Sequence, residues 1–341
     1  MATINVPADE ATLALAVAAA AHGDIINLAA GTHSVPAQQD VNLQITIQGA
    51  TGTASDVTLS SNGTYHTLFL KTGTITVKDL TIINTDATDT GGSIYFAIRS
   101  DHSSNNALTV DNVTVVSNHG GIYLSGSTST INRCDISITN HHADTNFTAI
   151  NGAWSGKGTW TNNRYWGHNV KYWGYMDAGI TKSCSSIVSP ATTHHIFSAI
   201  VMNDEVYNCS IETGATQGAS YALRTSFQHT HVSMNCPNLL NDFFPGVVAE
   251  PNTVTTAMAQ ASGQDLMVDA ATGDAHVNPL GLSYQNGDYA KIVDPDLDGN
   301  NYNNPPSRGC YEETPAAGGG GGGAVLKSRA GFLPSPFTLT P

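Results

Sequence analysis

The sequence predicts an all-β protein, a parallel β-helix solenoid with an N-terminal capping α-helix and a C-terminal extended tail. Three observations predict it. Short β-branched runs recur from residue 41 onward, separated by Asn, Asp and Gly. Several of them share one grammar: a run of ITV, LTV or TIN, then KD, DN or RCD, then LTI, VTV or ISI. Charged residues make up only 12% of the 341-residue chain, and Gly, Thr, Ser and Asn fill their place, as in a turn-rich β protein. Runs this short do not persist as isolated hairpins. Stacked turn upon turn, they form parallel sheets whose alternate Ile, Val and Leu share one core.

Taken in order, residues 8–21 (ADEATLALAVAAAA) predict an amphipathic helix with Asp9 and Glu10 in its first turn, where the helix dipole favours anions. That helix belongs to an N-terminal cap and first coil over 1–40, because an open solenoid end exposes core and unpaired strand edges. The body spans 41–264. Its clearest runs are VNLQITIQG (41–49), GTITVKDLTIINT (73–85), ALTVDNVTVVSN (107–118), STINRCDISITN (129–140) and VYNCSIET (206–213). The three runs with the shared grammar end near Asn84, Asn118 and Asn140, 34 and then 22 residues apart, the spacing of a solenoid. Asparagines recurring at the bends can stack and hydrogen-bond along the axis. Residues 265–317 form the closing coils and C-terminal cap. Residues 318–341 begin with six glycines, a hinge that holds neither helix nor strand. The tail beyond it carries Val325, Leu326, Lys327, Arg329, Phe332, Leu333, Phe337 and Leu339 between prolines. It cannot bury its apolar side chains alone and is expected to order against another chain.

The opening segment, TINVPADEATLALAVAAAAHGDIINLAAGTHSV followed by LQITIQG, resembles the start of right-handed parallel β-helix proteins of the pectin-lyase-like kind. Gly23-Asp24, Gly31-Thr32 and Gly49 stand at the matching places, while His33 and Ala30 replace the usual Tyr and Pro. Residues 265–312 are similar to the closing segment of many secreted or phage-like β-helix proteins, through Asp298-Gly299-Asn300 and Gly309-Cys310-Tyr311-Glu312. The resemblance brackets residues 3–312 and implies a right-handed solenoid. It leaves activity open, since the fold hosts lyases, hydrolases, adhesins and virion proteins.

The formal charge of −14, with no Lys or Arg before Lys71, excludes nucleic acid as an expected partner. The N-terminus lacks the positive n-region of a secretory signal, and no run reaches about 18 apolar residues, so no membrane partner is expected. Five cysteines (134, 184, 209, 236, 310) without a CxxC pair read as buried free thiols. The sequons at Asn62, Asn112, Asn146 and Asn208 matter only in a secretory pathway.

A glycosidase or lyase on this fold needs paired carboxylates, or a Ca²⁺-binding acid cluster beside a basic residue. Asp79, Asp111 and Asp135 read as aligned acids, one per coil before the second strand, either as turn residues or as a site. DPDLDG (294–299) has the opening of a calcium loop, with Asp294, Asp296 and Asp298 as ligands; Pro305 stands where the loop's bidentate Glu belongs. A closing turn is the simpler reading of that motif and a weak Ca²⁺ site the other, so no cofactor is required. Histidine pairs at 141/142, 194/195 and 229/231 could build a metal site between coils or on a threefold axis; solvent-facing or hydrogen-bonded histidines are the plainer reading. All four tryptophans fall within 154–177. Trp154, Trp160, Tyr165, Trp166, Tyr172, Trp173 and Tyr175 read as a subunit interface, a glycan surface or local packing.

The function expected from these features is a virion structural protein, most simply a bacteriophage capsid decoration or fibre-like protein on the virion surface. It would be a homo-oligomer, expected to be a trimer, attached to a shell protein through 318–341 and able to touch cell-surface glycans. A polysaccharide lyase or hydrolase of the tailspike kind is the alternative, and a cell-surface adhesin the third reading. Enzymatic activity is not the expectation.

Overall fold

The computed structural model describes residues 1–71, 73–85, 95–100, 107–124, 128–139, 148–168, 172–182 and 185–188, short strands between 200 and 277, and parts of 279–312. Side chains are described within those ranges up to Ile138, over 158–166, and at positions from His276 to Glu312. The structure is all-β with parallel pairing. Twenty-two strands join one sheet, and only the small pair Met267–Asp269 and Asp274–Val277 runs antiparallel among the described residues.

The pairs sort into three files. The first stacks Thr3–Val6, Ile25–Leu28, Thr46–Gly49 and the leading halves of Thr74–Asn84 and Ala107–Ser117, then Thr128–Asn132 and the last part of Thr148–Thr161. The second stacks Gly31–Ser34, Val57–Ser61, the trailing halves of the same two long strands, Asp135–Thr139 and Arg164–His168. The third stacks Gln39–Val41, Leu68–Leu70, Phe96–Ser100, Gly120–Tyr123 and the start of Thr148–Thr161. Chain order visits file one, two and three before returning to file one.

Period-two alternation explains the interior. Ile26, Ile47, Val77, Val110, Ile131 and Trp160 are register partners in file one, and none has measurable exposure. Leu59, Ile82, Val115, Ile136 and Tyr165 form the matching column in file two. Leu68, Ile98 and Ile122 do so in file three. Each buried aliphatic side chain contributes roughly 1.5–3 kcal/mol of transfer free energy. For Trp160 and Tyr165 local packing holds, and the interface and glycan readings do not. Trp160 and Tyr165 are not surface residues but the aromatic members of two aliphatic columns.

The corner between files one and two is a left-handed residue on successive turns. Asp79, Asn112, Arg133 and Asn162 have φ of 58°, 53°, 50° and 55°. Asp and Asn tolerate this region because their short side chains bond locally. Asp79, Asp111 and Asp135 are therefore not aligned, contrary to expectation. Asp79 is the corner, Asp111 pairs with Lys78 and Asn132 one place before it, and Asp135 pairs with Thr114 and Arg164 after it. Asn84 likewise stands opposite Ser117 rather than Asn118, one residue from the expected stack.

The expected helix over 8–21 is only Leu13–Ala19. Thr12 is its N-cap, accepting the Leu15 N–H at 3.2 Å, so Asp9 and Glu10 precede the first turn. Asp9 is occupied instead by Asn5, whose backbone and side-chain N–H groups donate to its carboxylate at 2.7 and 2.8 Å. Leu13, Ala16 and Val17 face the core and cover the first turn of strands.

Candidate functional site

A polar column runs beside the corner on the outer face of file one. Asn27 donates to Asn5 at 3.1 Å and Gln48 to Asn27 at 3.2 Å. Farther along, Asn132 donates to Asp111 at 2.9 Å and Thr161 to Asn132 at 2.7 Å. The corner acids are tied into the same lattice. Asn112 donates to Asp79 at 2.8 Å. Arg133 grips Asp111 through Nε and Nη2 at 3.1 and 2.7 Å, and Arg164 grips Asp135 at 2.7 and 2.5 Å. Burial opposes the Arg164 charge, and its neighbours, the Asp135 carboxylate first among them, together more than offset it. The Asp111 and Asp135 carboxylates hold neighbouring strands together in forked, charge-assisted pairs.

The described part of the closing segment lies against this corner. Asn162 donates to the Pro295 carbonyl at 2.7 Å, Tyr302 donates to Asn162 at 3.3 Å, and Trp166 packs on Leu297, Cys310 and Tyr311. Asp296 is buried, and its carboxylate accepts the N–H groups of Asn300 and Glu312 at 2.6 and 2.7 Å. Burial still raises its pKa, those hydrogen bonds opposing and the Asp298 charge adding. Asp298 meets His276 at 3.0 Å, and Asp294 lies outside the described residues. Glu312 accepts from Asn303 and Ser307. Both buried acids of this segment thus fold it, and no group of three metal-binding side chains occurs among the described residues.

The third file carries a different outer face. Phe69, Arg99 and Tyr123 are register partners on adjacent strands, all half-buried. The Arg99 guanidinium sits 5.0 Å from the Phe69 ring centroid and 5.5 Å from that of Tyr123. Lys71, paired to Asp40 at 2.6 Å, lies 5.2 Å from the Phe69 ring centroid. Behind them His66 is buried against Phe69, Tyr95 and Phe96. Its Nδ1 accepts the Phe96 N–H at 2.9 Å, and Arg99 Nη1 contacts its Nε2 at 2.8 Å. A cation held among aromatic rings can bind the apolar face and the polar edge of one ligand together.

Burial first, and the Arg99 charge second, lower the His66 pKa to about 4. The native state therefore holds the neutral ring, while an unfolded chain protonates it near pH 6.5. Stability from this group is full above about 6.5 and lost as pH falls toward 4, about 2 kcal/mol after allowance for solvent screening. The urea midpoint should fall less between pH 7 and pH 4.5 in His66→Gln than in the unaltered protein. Asp9, lowered by its Asn5 bonds, and Asp24, lowered by the Ala2 and Ala21 N–H groups, lose their contributions at still lower pH.

Of the sequence-predicted residues, Trp160 and Tyr165 are interior and Trp166 lies under the closing segment. Trp154, Tyr172, Trp173 and Tyr175 lie on the strands Thr148–Thr161 and Tyr172–Lys182; Tyr175 pairs with Asn151 and so continues the register of Tyr123. The tail residues of 318–341 and the histidine pairs at 141/142, 194/195 and 229/231 lie outside the described residues. Cys134 and Cys310 are buried and in no disulfide, as expected of them. The Phe69–Arg99–Tyr123 face escaped sequence reasoning. Its signal was parity: LFL, FAIRS and GGIY each set one half-buried large residue directly after a buried aliphatic one. No protein-family model matches the chain, and no curated protein is significantly similar to it.

Proposed function

We propose that the chain is a right-handed parallel β-helix serving as a structural protein of a virion surface, a bacteriophage capsid decoration or fibre-like protein. It attaches through residues 318–341 and presents the Phe69–Arg99–Tyr123 face to cell-surface glycans. One observation carries this reading above catalysis: the acids beside the corner are committed to structure. Asp79, Asp111 and Asp135 each bond a side chain of a neighbouring turn, which favours a stiff stacked body over an exposed pair of working carboxylates. The net charge of −14 suits a body that stays apart from its copies except where a specific contact overrides repulsion.

A polysaccharide lyase is the second reading, favoured by Arg99, a cation among rings on an outer sheet face. The two are separated by one pair of measurements. Deleting 318–341 should abolish attachment to particles lacking this protein while leaving circular dichroism and thermal unfolding of the body unchanged. Release of unsaturated or reducing sugars from bacterial polysaccharide by the full chain would instead sink the structural reading. Sedimentation of both chains tests the expected trimer and whether assembly resides in the tail.

A further inference from the structure

The contact between His66 and Arg99 does not balance as hydrogen bonds. A neutral imidazole offers one acceptor and one donor, and a guanidinium only donates. Yet both ring nitrogens of His66 face donors: the Phe96 N–H at Nδ1, 2.9 Å away, and Arg99 Nη1 at Nε2, 2.8 Å away. The Phe96 N–H is fixed in the backbone and buried, so it takes the acceptor. The proton then sits on Nε2, pointing at a second donor. Arg99 Nε is also buried without a hydrogen-bond partner. Arg133 and Arg164 each grip a carboxylate, whereas Arg99 has none among the described residues.

Two donors thus meet where an acceptor is missing, His66 Nε2–H and Arg99 Nη1–H, and the buried Nε of the same guanidinium is also unpartnered. His66, only 6% exposed, cannot turn to water. We propose that this is a binding site for one oxyanion, a carboxylate or sulfate group of the ligand that the Phe69–Arg99–Tyr123 face receives. The proposal rests on that face being a ligand surface, and it names the charge the ligand must carry. One oxygen bridging Nε2–H and Nη1–H at ordinary hydrogen-bond lengths moves the guanidinium back, opening the contact to roughly 4–5 Å. The rings of Phe69 and Tyr123 keep the guanidinium over the site during that shift. Lys71, 5.2 Å from the Phe69 ring, is held by Asp40, so the charge offered to the ligand is that of Arg99.

The test uses the full chain labelled with ¹⁵N-histidine. Long-range imidazole spectra, with His66 assigned by its loss in His66→Gln, are expected to show the Nε2–H tautomer. Titration with sulfate and with acetate, against chloride at constant ionic strength, should move that resonance saturably. Arg99→Gln should weaken binding at least tenfold at unchanged melting temperature. Arg99→Lys, which keeps the charge but loses the fork, should weaken it less and confirms folding where Gln does not. An Nδ1–H tautomer, or no saturable shift with either anion in folded protein, overturns the site. A neutral oligosaccharide that binds while neither anion does would overturn it too and leave the ligand face standing.

Discussion

Replacing Trp160 by Ala is expected to destabilise the folded chain by about 3–5 kcal/mol, the range of large-to-small changes at well-packed aromatic positions. Trp160 has no measurable exposure and stands directly over Ile131 in the file-one column. Two neighbours show that the site is shaped to this ring. Gly158 has no room for a side chain, since an added Cβ would lie 2.3 Å from Ser129 Oγ and 3.1 Å from Trp160 Nε1. That indole N–H donates to the buried Ser129 hydroxyl at 3.3 Å. Truncation leaves both a cavity and a hydroxyl that has lost its donor. Leu should recover part of the loss and Phe more, because they refill volume without restoring the bond. Urea unfolding at pH 7 measures all three. A Trp160→Ala protein as stable as the parent would mean that the column does not continue past Ile131.

The same position shows how far the sequence could be read. STINRCDISITN and GTWTNNRYWGH align residue for residue, Ile131 with Trp160 and Ile136 with Tyr165. The grammar was legible wherever the inward residues were Ile, Val or Leu. It was hidden where aromatics took those places, because a cluster of Trp and Tyr reads as surface when no neighbour is seen. Parallel strands of β-branched residues follow from local pattern. Their register does not. Asp79, Asp111 and Asp135 each precede a β run, yet KD, DN and RCD set the acid at different steps, so that register places them at, before and after the corner. The His66–Arg99 contact was the least accessible, since its partners are 33 residues apart and nothing local joins them. Helix length failed for a local reason: Thr12 outcompetes Asp9 as a cap once Asn5 has claimed the Asp9 carboxylate.

Gly49→Ala is the other change expected to cost most, about 3 kcal/mol, at the upper end of overpacking. Replacing Gly by Ala usually stabilises by about 0.4–1 kcal/mol through the unfolded state, provided the backbone tolerates a side chain. At Gly49 it does not. A Cβ there would lie 2.0 Å from the Asp79 carbonyl oxygen and 3.1 Å from Val57 Cγ2. The obstacle is backbone, and it cannot swing aside, because Asp79 is the left-handed corner held by Asn112. Relief requires pulling two neighbouring turns apart, which also strains the Gln48–Lys78 register beside it. Gly52→Ala separates contact from conformation. That glycine has φ of 76° and nothing within 4 Å of an added Cβ, so only the left-handed strain of about 1–2 kcal/mol should appear. Thermal and urea unfolding of the two variants should therefore rank Gly49→Ala well below Gly52→Ala. Equal losses would show that the corner does not press on Gly49, and that steric closeness between turns contributes little to holding the stack in register.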